Sequence, residues 1–198
     1  NAGDFKPDWL WIKERTSTSS HQLIDSTRGS SNALLSDSSN AEDVDANRVQ
    51  SFLTDGFQVG TASTVNENSQ TYVAWQWKAN GGTTSSNSDG GITSTVQANT
   101  TAGFSIVTYT GTGSATTVGH GLGATPKLVI VKERGNSNSW LVQSNLFSSS
   151  NFVTFLNRSD TGGENDSTTF NGTFPTSSVF SVGTHTGTNR SSGTYVAY

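Results

Sequence analysis

Three His, 15 acidic residues and 60 Ser or Thr supply the raw material for hydrolytic chemistry, so their spacing decides what chemistry is open to the chain. A serine triad needs a nucleophile on a strained turn, and no Gly-x-Ser-x-Gly elbow occurs. His21, His120 and His185 are not at metal-ligand spacing, and there is no Cys to assist them. His120 lies between Gly119 and Gly121 and reads as a turn or packing residue. Gly119-His120-Gly121-Leu122-Gly123 has the wrong spacing for a phosphate-cradling loop, and no helix is expected after it.

Carboxylates come next. Glu42-Asp43-Val44-Asp45-Ala46-Asn47 puts oxygen ligands at alternate positions. Counting from Asp43, however, Arg48 and Thr54 stand where a helical calcium loop needs Gly and Glu. A looser calcium site here, or between 160 and 166, competes with an ordinary solvated acidic loop. Glu14 and Glu133 could form a glycosidase pair. They stand beside Lys13 and Lys132 at matching places of an internal repeat, which instead suits shared strand geometry or cross-strand ion pairs. No catalytic residue, metal or cofactor is expected, and the chain reads as a non-enzyme.

Trp9, Trp11, Trp75, Trp77 and Trp140 remain as candidate contact residues. Trp9 and Trp11 share one strand face, as do Trp75 and Trp77. Such residues build cores and subunit interfaces, or stack on sugar rings when exposed. Leu128 and Ile130 replace Trp9 and Trp11 in the second copy of the repeat, which favours core or interface over glycan contact.

The elements that must position these residues are strands. Trp9 to Glu14 alternates with a period of two, as a strand does. Phe104–Thr110, Leu128–Val131, Phe57–Val59 and Tyr72–Trp77 are rich in β-branched and aromatic residues. Gly, Asn, Asp, Ser and Thr clusters between them are turn material. Asn32–Leu35 and Ala41–Val44 are expected as short helical turns, and no stretch is long enough for an amphipathic helix. The expectation is an all-β protein.

Self-similarity gives the organisation. Pro7-Asp8-Trp9-Leu10-Trp11-Ile12-Lys13-Glu14-Arg15 matches Pro126-Lys127-Leu128-Val129-Ile130-Val131-Lys132-Glu133-Arg134 at an offset of 119. Phe57–Gly60 matches Phe180–Gly183, and Thr71–Trp75 matches Thr194–Tyr198, both at 123. Two sandwich-like units in tandem follow: 1–79, then a Gly/Ser/Thr-rich linker over 80–103, then 104–198. Phe104 to Thr125 has no counterpart before Pro7. The first copy is therefore expected to lack its leading strand and to need a neighbouring segment or chain at that edge.

Composition bounds the partners. Hydrophobic residues make up 31% and charged residues 13%, which implies a thin core with many polar turns. A net charge of -4 argues against nucleic acid. No apolar run reaches the roughly 18 residues of a membrane span, so membrane insertion is not expected. The chain contains no Met, so Asn1 is not a translation start, and a cleaved product or a segment of something longer is expected.

Several of these stretches carry a resemblance. Asn99–Gly111, His120–Gly123 with Pro126 and Val129–Lys132, Thr71–Lys78 and Pro175–Ser181 resemble repeats in tail-fibre and other virion proteins of marine bacteriophages. The resemblance implies a concanavalin-like or jelly-roll sandwich on the virion surface, as fibre, spike or decoration assisting host attachment. The partners it implies are further copies of the chain, in trimers for a fibre, together with other virion proteins and host-surface glycan. It carries no catalytic residues. A carbohydrate-binding, lectin-like adhesion module is the alternative.

Overall fold

The computed structural model describes residues 3–159 and 162–198. The first unit runs β1 (Trp9–Glu14), β2 (Gln22–Asp25), β3 (Asn32–Leu35), β4 (Asp43–Val44), β5 (Val49–Leu53), β6 (Gly56–Val59), α1 (Ser63–Asn66) and β7 (Tyr72–Trp77). Then come β8 (Ser85–Asn87), β9 (Ser94–Asn99), β10 (Phe104–Thr110) and β11 (Thr116–Gly119). The second unit runs β12 (Leu128–Glu133), β13 (Leu141–Ser144), β14 (Phe152–Phe155), β15 (Glu164–Asn165), β16 (Val179–Val182), α2 (Thr186–Asn189) and β17 (Thr194–Ala197).

The two units are built alike. One sheet has the order β4-β3-β2-β1-β7, and the second begins with the matching order β15-β14-β13-β12-β17. The second sheet then continues through β10, β9 and β8. Every pairing between these strands is antiparallel. Both units also carry a one-turn helix pinned by a tyrosine. Tyr72 Oη donates to Ser63 O at 2.6 Å and accepts from Glu67 N at 2.8 Å. Tyr195 Oη likewise donates to Thr186 O at 2.6 Å and accepts from Arg190 N at 2.7 Å.

Three apolar layers follow from the strand alternation. Trp9, Leu23 and Leu34 of the first sheet meet Ile106, Trp140 and Val196 of the second, so the two sheets pack face to face across a shared core. Leu10, Ile12, Ile24, Ala33 and Val49 face the other way into a core of the first unit. Val107, Val129, Val131, Leu141, Phe180 and Tyr195 do the same in the second. Strand β1, and β12 beyond Leu128, are thus covered on both faces, which is why they read as near-continuous apolar runs.

Two expectations are corrected. The stretch 80–103 is no linker, because it contains β8 and β9. Its polar composition hides Ile92 and Val96, which enter the second core, and Gln97, which is fully buried. Gln97 Oε1 accepts from the N–H groups of Asn80 and Gly82, and its Nε2 donates to Ser26 and Thr27, so burial costs it no hydrogen bonds. Second, 32–35 and 43–44 are strands, not helical turns. Their pairing with β2 and with each other outweighs local preference, as tertiary context commonly does.

Charged groups fix the seam between the units. The Arg28 side chain is fully buried and reaches Asp25 Oδ2 at 2.6 Å and Glu42 Oε2 at 2.6 Å. It also donates to Leu23 O and to Tyr198 Oη at 3.1 Å, and Tyr198 Oη donates to Asp25 Oδ2 at 2.6 Å. Arg134, from the second unit, holds Glu42 through both carboxylate oxygens. Burial opposes the charge on Arg28, but Asp25, Tyr198 and Glu42 outweigh it and raise its pKa. Lys132 is also fully buried and donates to Glu133 O at 2.7 Å and to Ser39 O, across the seam, at 3.3 Å.

Replacing Arg28 by Ala leaves Asp25 buried without its cation and Glu42 with Arg134 alone, and is expected to cost about 3–5 kcal/mol in urea unfolding. A cost under about 1 kcal/mol would show that the seam does not depend on it. Lys132 yields a pH prediction. Burial lowers its pKa from 10.5 to about 8, against the opposing charges of Glu133 and Glu42. Between those values the unfolded chain binds more protons, so stability rises with pH from 8 toward 10, by on the order of 1–2 kcal/mol. The raised pKa values of Tyr109 and Tyr198 act in the opposite sense only above the ordinary tyrosine value of 10. Unfolding midpoints that stay flat or fall over this range would contradict the assignment.

Candidate functional site

The residues singled out by type converge on one face. In the β1–β7 register Trp9 lies opposite Trp77 and Trp11 opposite Trp75. The indoles make a ladder: Trp9–Trp77 centroids are 4.7 Å apart at 78°, Trp9–Trp11 5.8 Å at 80°, and Trp11–Trp75 5.8 Å at 59°. Edge-to-face geometry of this kind is the favoured arrangement of aromatic quadrupoles. Trp9 is buried, whereas Trp75 and Trp77 are 44% and 41% exposed. Trp11 Nε1 donates to His21 Nδ1 at 2.8 Å.

Trp140 belongs elsewhere. It is fully buried, donates from Nε1 to Leu35 O at 2.8 Å, and stacks with Tyr198 at 6.4 Å and 20°. It therefore joins the second unit to the first and contacts no open surface.

Beside the ladder lies a mainly apolar cleft of about 520 Å³, lined by Trp9, Trp11, Trp77, Phe104, Leu128 and Tyr198 among others. Its shape has a local cause. β17 pairs with β10 through Val107 opposite Ala197, and with β12 through Val131 opposite Ala197. Tyr198 then exchanges backbone hydrogen bonds with Ile130. Phe104, Ser105, Leu128 and Val129 line the cleft beside Tyr198. Trp9 Nε1 is buried and has no hydrogen-bond partner among the described residues, an arrangement that costs free energy until an acceptor reaches it.

The other candidates resolve into structural roles. Glu14 accepts from Ser19 Oγ at 2.7 Å and from Thr16, and hydrogen bonds from Ser17 and Ser19 hold its pKa below the usual carboxylate range. Glu133 accepts from Asn136, Asn138 and Arg190. Each closes the loop after its own strand. Lys13 and Lys132 donate to the carbonyls of Glu14 and Glu133 in the same way. His120 accepts from Leu122 N at 3.2 Å through Nδ1, and its Nε2 lies 3.2 Å from Thr176 O, so it braces a turn. Burial lowers its pKa, against the Thr176 hydrogen bond.

In the 43–48 loop, Arg48 takes Asp43 at 2.5 Å and lies 3.9 Å from Asp45. The 160–166 loop falls partly outside the described residues. Within it Asp166 accepts from Thr168 N at 2.7 Å and from Thr169 Oγ1 at 2.5 Å. Among the described residues no cluster of three or more His, Asp or Glu is placed to hold a metal ion. No described helix is long and apolar enough to cross a membrane.

Sequence reasoning missed the Arg28, Glu42, Arg134 and Tyr198 network, whose members lie 14 to 170 residues from Arg28. The signal available was local: Asp25 and Arg28 stand three apart, and Asp25 Oδ1 accepts from Arg28 N at 2.8 Å in a turn.

Residues 2–198 match the model of a family described as a domain of unknown function (DUF7483). No curated protein and no solved structure matches the chain.

Trp9→Ala is expected to cost about 3–5 kcal/mol, as large core truncations do, and Trp77→Ala about 1–2 kcal/mol. Urea unfolding of the two variants checks this, and equal losses would mean that the ladder is sealed as a unit.

Proposed function

We propose that this chain, which belongs to the DUF7483 family, is a non-catalytic structural component of a bacteriophage virion exterior, as tail fibre, head fibre or capsid decoration, assisting host attachment. One observation carries the reading. Its ion pairs hold the frame together: Arg28, Glu42 and Arg134 join two copies of one β unit at the seam, and Glu133 with Arg190 braces the second unit. Neighbouring units of a repeat protein bury each other's faces in this way. The resemblance of the repeats to virion proteins supports the location. Tandem concanavalin- or jelly-roll-like units, multi-copy assembly and a trimeric fibre are part of the same proposal.

A second reading, a carbohydrate-binding lectin-like module, is favoured by the exposed Trp77 and Leu128 beside the unpartnered Trp9 N–H. Sugar rings stack on indole faces, and a hydroxyl oxygen would accept from that N–H.

Immunogold electron microscopy of purified particles, with an antibody to this chain, tests the first reading. Label on tail appendages or over the head is the expected result, and unlabelled particles would remove it. A glycan array separates the second: binding lost in Trp77→Ala would establish a lectin, and a blank array would leave assembly as the role.

A further inference from the structure

The two units share a strand plan but not a degree of closure. Phe180, Val182, Tyr195, Val196 and Ala197 are each 0–1% exposed. Their counterparts Phe57, Val59, Tyr72, Val73 and Ala74 are all only partly buried. What differs is the segment 104–119. In the second unit β10 adds to the edge of β17, opposing Tyr109 to Tyr195 and Val107 to Ala197, and β11 pairs with β16 so that Val118 opposes Phe180. Tyr109 stacks on Tyr195 at 5.0 Å and 15° and meets Phe180 edge-on at 6.0 Å. In the first unit β7 is the outermost strand of its sheet, and among the described residues no strand pairs with its outer edge over Thr71–Ala74.

The backbone there is set for a ladder. Gly111 N donates to Gly193 O in the β10–β17 register, so by alternation Tyr195 and Ala197 direct their N–H and C=O groups at β10. Arg15 N donates to Thr71 O, so Thr71 and Val73 face β1 while Tyr72 and Ala74 direct theirs outward. Tyr72 and Ala74 are the repeat counterparts of Tyr195 and Ala197.

We infer that the outer edge of β7, over Thr71–Ala74, is the acceptor for a donor strand of the β10 type. The strand adds antiparallel, with an aromatic residue opposite Tyr72 and a β-branched residue opposite Ala74. Its continuation covers Phe57 and Val59 as β11 covers Phe180. A second copy of this chain cannot lend its own segment without opening its own second unit, because Ile106, Val107 and Val118 are each no more than 1% exposed there. The donor is therefore a strand from outside these 198 residues. The inference does not rest on the virion reading.

The test adds a labelled synthetic peptide with the sequence of residues 103–119 to the intact chain. Saturable one-to-one binding by fluorescence anisotropy is expected, with slowed hydrogen exchange at the amides of Tyr72 and Ala74. A scrambled peptide is expected not to bind. Ala74→Pro removes an outward N–H and leaves the β1 ladder intact, so it should weaken binding at least about tenfold. If that variant does not fold, exchange at Tyr72 and Ala74 in the unaltered chain decides. Absence of binding overturns the inference, as does equal binding of the scrambled peptide. A free chain that dimerises with both amides already protected overturns it too, because a second copy would then hold the edge.

Discussion

The Arg28 guanidinium is the interaction on which the arrangement of the two units turns. A buried cation is tolerated only when its donors are matched, and here two carboxylates, a carbonyl and a phenol match them. Asp25 and Glu42 come from the first unit, while Tyr198 comes from the second and Arg134 approaches the same Glu42 from the residue just after β12. Loss of Arg28 would strand Asp25, whereas Glu42 would keep Arg134. Tyr198, held there by its hydroxyl, presents its ring to Trp140 on one side and to Trp9 on the other. The polar contact thereby sets the position of the apolar layer between the sheets.

Duplication explains much of what the side chains do. Paired features recur at matching places: the lysine that caps a loop carbonyl, the glutamate that gathers the next loop, the tyrosine that pins a helical turn. Gly60 and Gly183 recur for a related reason, since a Cβ at either would collide with a backbone carbonyl, that of Asn47 or Thr168. The units differ where the chain gives them different neighbours. Trp9 and Trp11 line a ladder with Trp77 and Trp75, while Leu128 and Ile130 flank a cleft.

The alternation of Trp9–Glu14 and the β-branched runs made most long strands legible, because period two and residue type point the same way. The repeat was legible because its anchors, such as Lys-Glu-Arg after the first strand, answer to one geometry in both copies. Strands β3, β4, β8 and β9 were hidden. β4 and β8 are short and polar, β3 is short and β9 is largely polar, and each is held by pairing partners that only the assembled sheet supplies. The aromatic candidates were legible as types, but the separation of Trp140 from the other four depends on a hydrogen bond to Leu35, 105 residues away. The seam network was invisible for the same reason: spacing along the chain carries no record of approach across 92 residues between Glu42 and Arg134.

The position of β17 has a consequence for the order of events as the chain leaves the ribosome. It follows every other strand of the eight-stranded sheet in chain order, yet it lies in that sheet's interior, between β12 and β10. Until it arrives, β8–β10 and β12–β15 are two separate ribbons that share no ladder. The second unit therefore closes in a late, non-local step, and such steps are slow because loop-closure entropy is lost before contacts compensate it. Over that interval β10 and β12 each present an open edge, and the nascent protein is at its most vulnerable to pairing with the wrong neighbour.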